Sequence, residues 1–464
     1  MEKNLTTGSV FKNIIAFSLP YLLSYFLQTL YGLADLFIIG QYEGVASTTA
    51  VSIGSQVMHM LTVMIVGLAM GATVSIGRAV GGGDRRRAAA CIGNTIMLFM
   101  GLSVLLTIVL LWLRRDIVAV MSTPAQAVGG TVDYLTVCFI GITFITAYNI
   151  ISSILRGMGD SKSPMYFILV ACVANIGLDY LFMGAMHLGP IGAALGTTLS
   201  QAVSVVVALV VILRQKAGIT PAHADLKPRC AVMGELLRIG VPIALQDGLI
   251  QVAFIIITII ANRRGLNDAA AVGIVEKIIS FLFLVPSSML STVSALGAQN
   301  IGAGKPERAR ATLGYAILIT AGFGAVIVLL MQFFAEPVVA LFTDASQTDG
   351  LEVIRLGGQY LRGYVWDCLF AGIHFSFSGY FCACGRSGLS FLHNILAITL
   401  VRIPGVYYTS THFADTLYPM GLATAISSSI SSVVRSVMSI RCLICMAPFS
   451  HILMHDSKLN PIRQ

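Results

Sequence analysis

Apolar segments long enough to cross a lipid bilayer follow one another along almost the whole chain. A transmembrane helix needs about 20 predominantly apolar residues, and twelve such segments can be placed, the first near 14–39 and the last near 419–446. Hydrophobic residues make up 56% of the 464 residues and charged residues only 11%, with a mean hydropathy of +0.85. The sequence therefore predicts an all-α integral membrane protein with twelve transmembrane helices.

The distribution of positive charge predicts the orientation of these helices. No cleavable signal peptide is evident, so we interpret the first apolar segment as a retained helix. Twelve spans place both termini on one side of the membrane, and that side carries most of the lysines and arginines. The few on the other side are Arg114, Arg115, Arg263, Arg264, Arg355 and Arg362. The asymmetry predicts cytoplasmic termini in a multi-pass protein of the inner or plasma membrane.

The net charge of +8 thus reflects topology and attraction to membrane lipids, and we expect no nucleic-acid partner for basic runs such as DRRR at 84–87. The nine cysteines lie mostly within or beside apolar segments, which argues against a disulfide framework. The pairs in CAC at 382–384 and CLIC at 442–445 are expected to pack as small apolar residues, with a redox or metal role as the alternative.

Four landmarks of the first half recur in order in the second half. SLPYLLSYFLQ at 18–28 matches GVPIALQDGLIQ at 240–251, which aligns Pro20 with Pro242, and PIGAALGTTLS at 190–200 matches PMGLATAISSS at 419–429. The other pairs are GGGDRRRAAA (81–90) with GAGKPERARA (302–311), and LRGMGDS (155–161) with FCACGRS (381–387). We predict two pseudo-symmetric six-helix lobes, 1–213 and 239–464, joined by a cytoplasmic linker at 214–238 and facing each other across a cleft suited to alternating access.

Acidic residues inside the apolar segments are the strongest candidates for a functional site. At about 1.5 Å of rise per residue, Asp35 lies about 8 Å and Asp179 and Thr197 about 10 Å from the outer ends of their spans. Asn175 lies four residues before Asp179, on the same helix face. Two neighbouring carboxylates cannot both ionise cheaply in a low dielectric, which predicts a proton or sodium site. The alternative is that each acid is a structural group bonded to a neighbouring helix.

Other ionisable residues in the spans fit a structural or solvated role better. Asp247 and Asp367 could face a wet vestibule, and the adjacent Glu276 and Lys277 point to different helix faces. Arg402 and Arg435 also fall inside spans. Little suggests an enzyme: neither HExxH nor GxSxG occurs, and the helical metal-ligand spacing of HILMH at 451–455 lacks a third ligand nearby. We expect no cofactor and no resident metal.

The chain resembles the multidrug and toxic compound extrusion (MATE) family. The likeness rests on LYGLADLFIIGQ (30–41), LRGMGDSKSPM (155–165), NIGLDYLFMG (175–184), GPIGAALGTT (189–198) and AQNIGAGKPERA (298–309). It implies a secondary antiporter that exports cationic or amphipathic organic compounds in exchange for protons or sodium. In the DinF-like branch the matching motif residues form the coupling site, which implies this role for Asp35, Asn175, Asp179 and Thr197, with Asp35, Asn175 and Asp179 as the ligands if the ion is sodium.

The resemblance also implies a hinge and a substrate cavity. Pro20 resembles the family proline at which the first helix bends, and Pro242 is its counterpart in the second lobe. The candidate cavity residues are Gln28, Tyr31, Asn149 and His374. The NorM-like branch carries a carboxylate in the middle of its tenth helix, whereas CLFAGIHFSFSGYF at 368–381 has none, so we expect coupling to be asymmetric between the lobes.

Two other functions remain as alternatives. A flippase for a lipid-linked or amphipathic metabolite would be expected to line its cleft with several cationic residues, and few lysines or arginines lie inside the spans. An intramembrane enzyme is the remoter alternative. The natural substrate and the choice between proton and sodium stay open, and a monomer is expected.

Overall fold

The computed structural model describes residues 3–214, 219, 221–222, 224–343 and 349–446, with side chains described up to residue 432. Every regular element within these ranges is a helix. The first half contains α1 (Val10–Tyr42), α2 (Val45–Gly81), α3 (Arg85–Val120), α4 (Val128–Ile140), α5 (Ile142–Gly157), α6 (Lys162–Asp179) and α7 (Gly189–Arg214). The second half contains α8 (Cys230–Asn262), α9 (Leu266–Leu282), α10 (Leu284–Gly302), α11 (Pro306–Ala340), α12 (Gly350–Tyr364), α13 (Trp366–Ala383), α14 (Ser387–Ala397), α15 (Ile403–His412) and α16 (Tyr418–Met446).

These helices form twelve spans, six in each half, because several consecutive helices continue one another. α4 and α5 form one span bent by 48° at Gly141, and π-helices at Tyr180–Ala185 and Ile398–Arg402 extend α6 and link α14 to α15. In the described residues, nine segments are long and apolar enough to cross a membrane, or ten with the bent pair. The segments at 350–383 and 418–446 complete the twelve, which confirms the predicted all-helical plan.

The helices are longer than the apolar segments that predict them. α1 begins at Val10 and not near residue 14, and α2 runs from Val45 to Gly81 whereas the apolar segment covers 49–75. Polar turns extend these helices beyond the apolar segments, and α3 starts where the Asp84 side chain accepts a hydrogen bond from the Arg87 amide at 2.9 Å. Arg214 ends α7 and Cys230 begins α8, so both ends of the predicted linker 214–238 are helical.

Matching backbone turns support the internal repeat. Gly83 (φ +72°) and Gly304 (φ +68°) occupy equivalent places in GGGDRRR and GAGKPER, and Gly159 (φ +89°) and Gly385 (φ +71°) do so in LRGMGDS and FCACGRS. Glycine adopts a positive φ without the steric cost that a Cβ brings. The repeated glycines therefore mark the same tight turns between helices in both halves.

The two halves join at the end of the molecule that carries these glycine turns. Gln299 accepts a hydrogen bond from the Leu5 amide at 3.2 Å and donates to the Gly157 carbonyl at 3.0 Å, and Arg78 Nε donates to the Ala383 carbonyl at 3.0 Å. An apolar cluster at the same level combines Ile14 and Phe17 of α1 with residues of α10, α11 and α13. The later part of α1, with Ile38 and Ile39, packs instead within the first half.

Candidate functional site

The four residues predicted to form the coupling site lie together inside the first half. Thr197 of α7 donates a hydrogen bond from Oγ1 to Asp35 Oδ2 at 3.0 Å. Asp179, the last residue of α6, lies next to Asp35, and Asn175 lies one turn earlier on α6 beside the same carboxylate. Asp35 is 2% exposed, and both Asp179 and Asn175 are fully buried. The three helices α1, α6 and α7 thus enclose two carboxylates, an amide and a hydroxyl.

Most polar atoms of this cluster have no hydrogen-bond partner in the protein. They are Asp35 Oδ1, Asp179 Oδ1 and Oδ2, and Asn175 Oδ1 and Nδ2. Within the described side chains no lysine, arginine or histidine lies within 4.0 Å of either carboxylate. Burying a charged carboxylate without a partner costs roughly several kcal/mol of free energy. Binding of a proton or a mobile cation would therefore stabilise this arrangement. Its oxygens are the hard ligands that a small cation such as sodium prefers.

Local backbone geometry brings Asp179 into the cluster. The α-helical hydrogen-bond pattern ends at Asp179 and a π-helix follows over Tyr180–Ala185, a local widening that recurs at functional sites in proteins. On the facing helix, a Cβ at Gly196 would overlap Asp179 Oδ1, so only glycine lets α7 approach this carboxylate. The sequence analysis missed Gly196. Its position directly before Thr197, in GAALGTT, is the signal that points to it.

The candidate cavity residues come from both halves of the chain. Tyr31 lies one helical turn before Asp35, and Gln28 lies beside Tyr148 of α5, both half-buried. Asn149 is buried and donates to the Ile145 carbonyl of its own helix at 2.8 Å. His374 lies in the second half, where its Nδ1 is 3.0 Å from Ser431 Oγ of α16. The structure therefore places Gln28, Tyr31 and Asn149 in the first half and His374 in the second.

Both predicted hinge prolines lie inside continuous helices. Pro20 is in α1 and Pro242 in α8. The Ser24 hydroxyl donates to the Pro20 carbonyl at 2.9 Å. Proline cannot donate the helical hydrogen bond to the carbonyl four residues earlier, which makes each of these helices easier to bend at that point.

The second half holds its own buried acids, and one of them corrects the sequence analysis. Asp367, fully buried, lies near the middle of the tenth span (350–383), so the interpretation that this span has no central acid is wrong. Arg402 of the eleventh span forms a buried salt bridge with Asp367. Glu276 accepts a hydrogen bond from Thr258 at 3.1 Å, and the neighbouring Lys277 is exposed, which agrees with their predicted placement on different faces.

The remaining candidates from the sequence are placed as follows. Asp247 of α8 is half-buried and lies against Gly67 of α2, at the boundary between the halves. None of the described cysteines, Cys382 and Cys384 included, forms a disulfide, and no group of three metal-binding side chains occurs among the described residues. The side chain of Arg435, the CLIC side chains and HILMH lie outside the described residues.

Comparisons with known proteins agree with this architecture. The chain is 28% identical over 415 residues to the probable multidrug resistance protein YoeA of Bacillus subtilis, and this alignment covers 87% of this chain and 88% of the relative. It is 24% identical to the multidrug export protein MepA of Staphylococcus haemolyticus, over 88% and 89% of the two chains. A solved structure described as the outward-facing conformation of a multidrug resistance MATE family transporter matches with a TM-score of 0.88 at 21% identity, over 96% of this chain and 98% of that one.

A family model gives the assignment. The model named MatE matches residues 20–181 and 242–408, which together exceed half of the chain and fall on the two repeated halves. The matched residues include Asp35, Asn175 and Asp179 of the buried cluster and the Asp367–Arg402 salt bridge, while Thr197 lies after the first matched range. The chain belongs to the MATE family of membrane transporters.

Proposed function

We propose that this protein is a secondary antiporter that exports cationic or amphipathic organic compounds in exchange for protons or sodium. The observation that carries the proposal is the pair of buried carboxylates, Asp35 and Asp179, which have no cationic partner in the part of the chain that the structure describes. A site of this kind gains stability when it takes up a proton or a cation. A transporter can use that uptake to favour one conformation over another.

The coupling works through charge. Uptake of an ion from the outside neutralises the Asp35–Asp179 pair, which weakens the attraction of the first half for a bound organic cation and lets α1 bend at Pro20. The substrate then leaves to the outside. Release of the ion to the cytoplasm restores the negative charge, and with it the affinity for the next cation. The ion gradient thus supplies the differential affinity that any shift between two conformations requires.

The arrangement of Asp35, Asn175, Asp179 and Thr197 supports placement in the DinF-like branch, with coupling in the first half. The negative charge of Asp35 and Asp179, when no ion is bound, favours positively charged substrates. Aromatic rings and methionine side chains adapt to varied shapes, which suits a broad substrate range.

A flippase for anionic lipids is less well supported because Arg402 is already paired with Asp367. One chain supplies both halves, so a monomer is sufficient. The protein lies in the inner or plasma membrane with both termini in the cytoplasm.

A dye-accumulation experiment in cells tests the proposal. Cells that express the protein should accumulate less of a fluorescent quaternary ammonium dye than control cells. Asp35→Asn and Asp179→Asn should each remove the difference while reaching the membrane in normal amounts. Asp247→Asn, an intramembrane aspartate of the other half, is the matched control and should keep much of the activity. Export restricted to anionic lipids or sugars would contradict the proposal and favour the flippase.

A further inference from the structure

A buried arginine without a carboxylate partner lies between the two halves. Arg156, one residue before the end of α5, is 7% exposed. Its guanidinium stacks on the Tyr21 ring, with Cζ 3.9 Å from the ring centroid, and Nη1 donates to the Tyr21 hydroxyl at 3.1 Å. Its Nε atom is buried without a hydrogen-bond partner, and no carboxylate lies within 4.0 Å among the described residues. The ring offsets only part of the cost of burying this charge.

Arg156 lines a small cavity whose walls come from both halves. Tyr21, Val66, Met70, Thr73 and Ser153 belong to the first half, and Ser291 of α10 belongs to the second. Ser291 is 3% exposed and its hydroxyl has no hydrogen-bond partner, so it can donate into the cavity. Thr73 already donates to the Ser153 carbonyl at 3.0 Å. The side chains around the cavity include a cation and hydroxyl groups but no acid.

The size of the cavity restricts what it can hold. Its volume is about 10 Å³, which corresponds to roughly one water-sized sphere. A carboxylate or phosphate group has several heavy atoms and would not fit without moving the walls. A water molecule would fit and could satisfy Nε, but it would leave the arginine charge without a counter-ion.

We propose that this cavity binds one halide ion, chloride under natural conditions, through Arg156 Nε and the Ser291 hydroxyl. A single-atom anion neutralises the guanidinium, accepts both unused hydrogen bonds and needs less displacement of the walls than a carboxylate or phosphate group does. A chloride ion is somewhat larger than water, and the flexible Met70 side chain on the wall can adjust to it.

The site has a conformational consequence. Arg156 and Ser291 come from opposite halves, so the ion has its full set of partners only while the halves are joined at this end. A bound halide therefore stabilises the conformation described here relative to one in which the halves separate at Arg156. The proposal does not rest on the antiport proposed above, because halide binding can be measured on the purified protein without transport.

Thermal unfolding of the purified full-length protein tests the proposal. Sodium gluconate is replaced stepwise by sodium chloride or sodium bromide, at constant sodium and ionic strength. We expect the wild-type Tm to rise with halide concentration, by about 3 °C at a concentration 100-fold above Kd. Arg156→Gln should remove the rise, Ser291→Ala should move it to higher halide concentration, and Arg115→Gln, an exposed arginine of α3, should leave it unchanged. An equal rise in wild type and Arg156→Gln, or no rise in wild type, would overturn the proposal.

A second measurement does not depend on how the variants fold. Crystals of the wild-type protein grown in sodium bromide should show an anomalous scattering peak within hydrogen-bonding distance of Arg156 Nε and Ser291 Oγ. Bromide peaks elsewhere but none at this cavity, at a concentration that saturates the thermal shift, would reject the site.

Discussion

At the scale of single residues, the buried acids of the two halves differ in their partners. Asp367 has a permanent counter-ion in Arg402, so the second half keeps this charge pair whether or not an ion is bound. Asp35 and Asp179 lie beside the Thr197 hydroxyl and the Asn175 amide and have no cationic partner within the described side chains. The first half therefore depends on an ion from outside the protein, and we expect coupling to reside there.

Gly196 provides a test of the geometry of this cluster. In Gly196→Ala the new methyl group would overlap Asp179 Oδ1 and push the carboxylate away from Asp35. We expect a folded protein whose transport rate falls by about tenfold or more, because small displacements of an ion ligand weaken the site strongly. Gly177→Ala, two residues before Asp179, is the matched control since a Cβ there meets no atom within 4 Å. Transport at the same rate in both variants would show that the Asp179 position does not matter.

Arg264 provides a test of a residue with a purely structural role. Its side chain forms a salt bridge with Asp268 at 3.0 Å and donates to the carbonyls of Ser410, Phe413 and Ala414, which ties the α8–α9 turn to the end of α15. We expect Arg264→Ala to lower the free energy of unfolding by about 1–2 kcal/mol, since it removes the salt bridge and three hydrogen bonds to carbonyls that are only part-buried or exposed. Arg263→Ala removes an exposed neighbour and should change the melting temperature little. Equal effects of the two substitutions would argue against this role.

The sequence reveals some of these residues and not others. Asp35 and Asp179 stand out because an acid in an apolar segment is rare, and their depths can be counted along each helix. Gly196, Arg156 and the Asp367–Arg402 pair depend on which helix faces meet, which one sequence without its packing does not specify. Arg156 was overlooked because it lies at the end of its apolar segment, where an arginine is expected to reach the aqueous phase.

At the scale of helices, α1 belongs to both halves. Its first turns, with Ile14 and Phe17, pack against α10, α11 and α13, whereas Ile38 and Ile39 pack within the first half beside the coupling cluster. Pro20 lies between these two regions. A bend at Pro20 changes the position of the coupling cluster relative to the contacts that join the halves.

Pro20→Ala tests this role of α1. Alanine restores the hydrogen bond to the Ala16 carbonyl and stiffens the helix. We expect the variant to fold with an unchanged or higher melting temperature but to transport about tenfold more slowly, because the helix has lost its bending point. Pro337→Ala in α11, an exposed proline inside a helix, should change the transport rate little. If Pro20→Ala transported at the wild-type rate, bending at Pro20 would not be required for transport.

The number and order of the helices were predictable because each apolar segment reports one span. Their fine geometry was not. The bend at Gly141 and the π-helices at Tyr180–Ala185 and Ile398–Arg402 arise from single shifts in the hydrogen-bond pattern, which leave no trace in hydropathy.

At the scale of the whole molecule, contacts between the halves concentrate at one end. Gln299, Arg78 and the first turns of α1 join the halves at the end with the repeated glycine turns. The predicted orientation assigns that end to the cytoplasm, and with this orientation we predict that the halves are closed on the cytoplasmic side.

Cysteine labelling tests this orientation. Asp84→Cys and Lys305→Cys, introduced one at a time into a variant without the nine natural cysteines, lie in equivalent exposed turns of the two halves. A membrane-impermeant maleimide added to intact cells should label neither, and it should label both in inverted vesicles. Labelling of the two positions from opposite sides would disprove the parallel repeat.

Transport into proteoliposomes is the most direct test of the central claim that Asp35 and Asp179 couple an ion gradient to export. Purified wild-type protein should move a quaternary ammonium dye when a proton or a sodium gradient is imposed alone, and the effective gradient identifies the ion. Asp35→Asn and Asp179→Asn should show no gradient-driven transport, while Asp247→Asn keeps it. If both Asp35→Asn and Asp179→Asn transported the dye at wild-type rates with unchanged ion dependence, the coupling site would lie elsewhere.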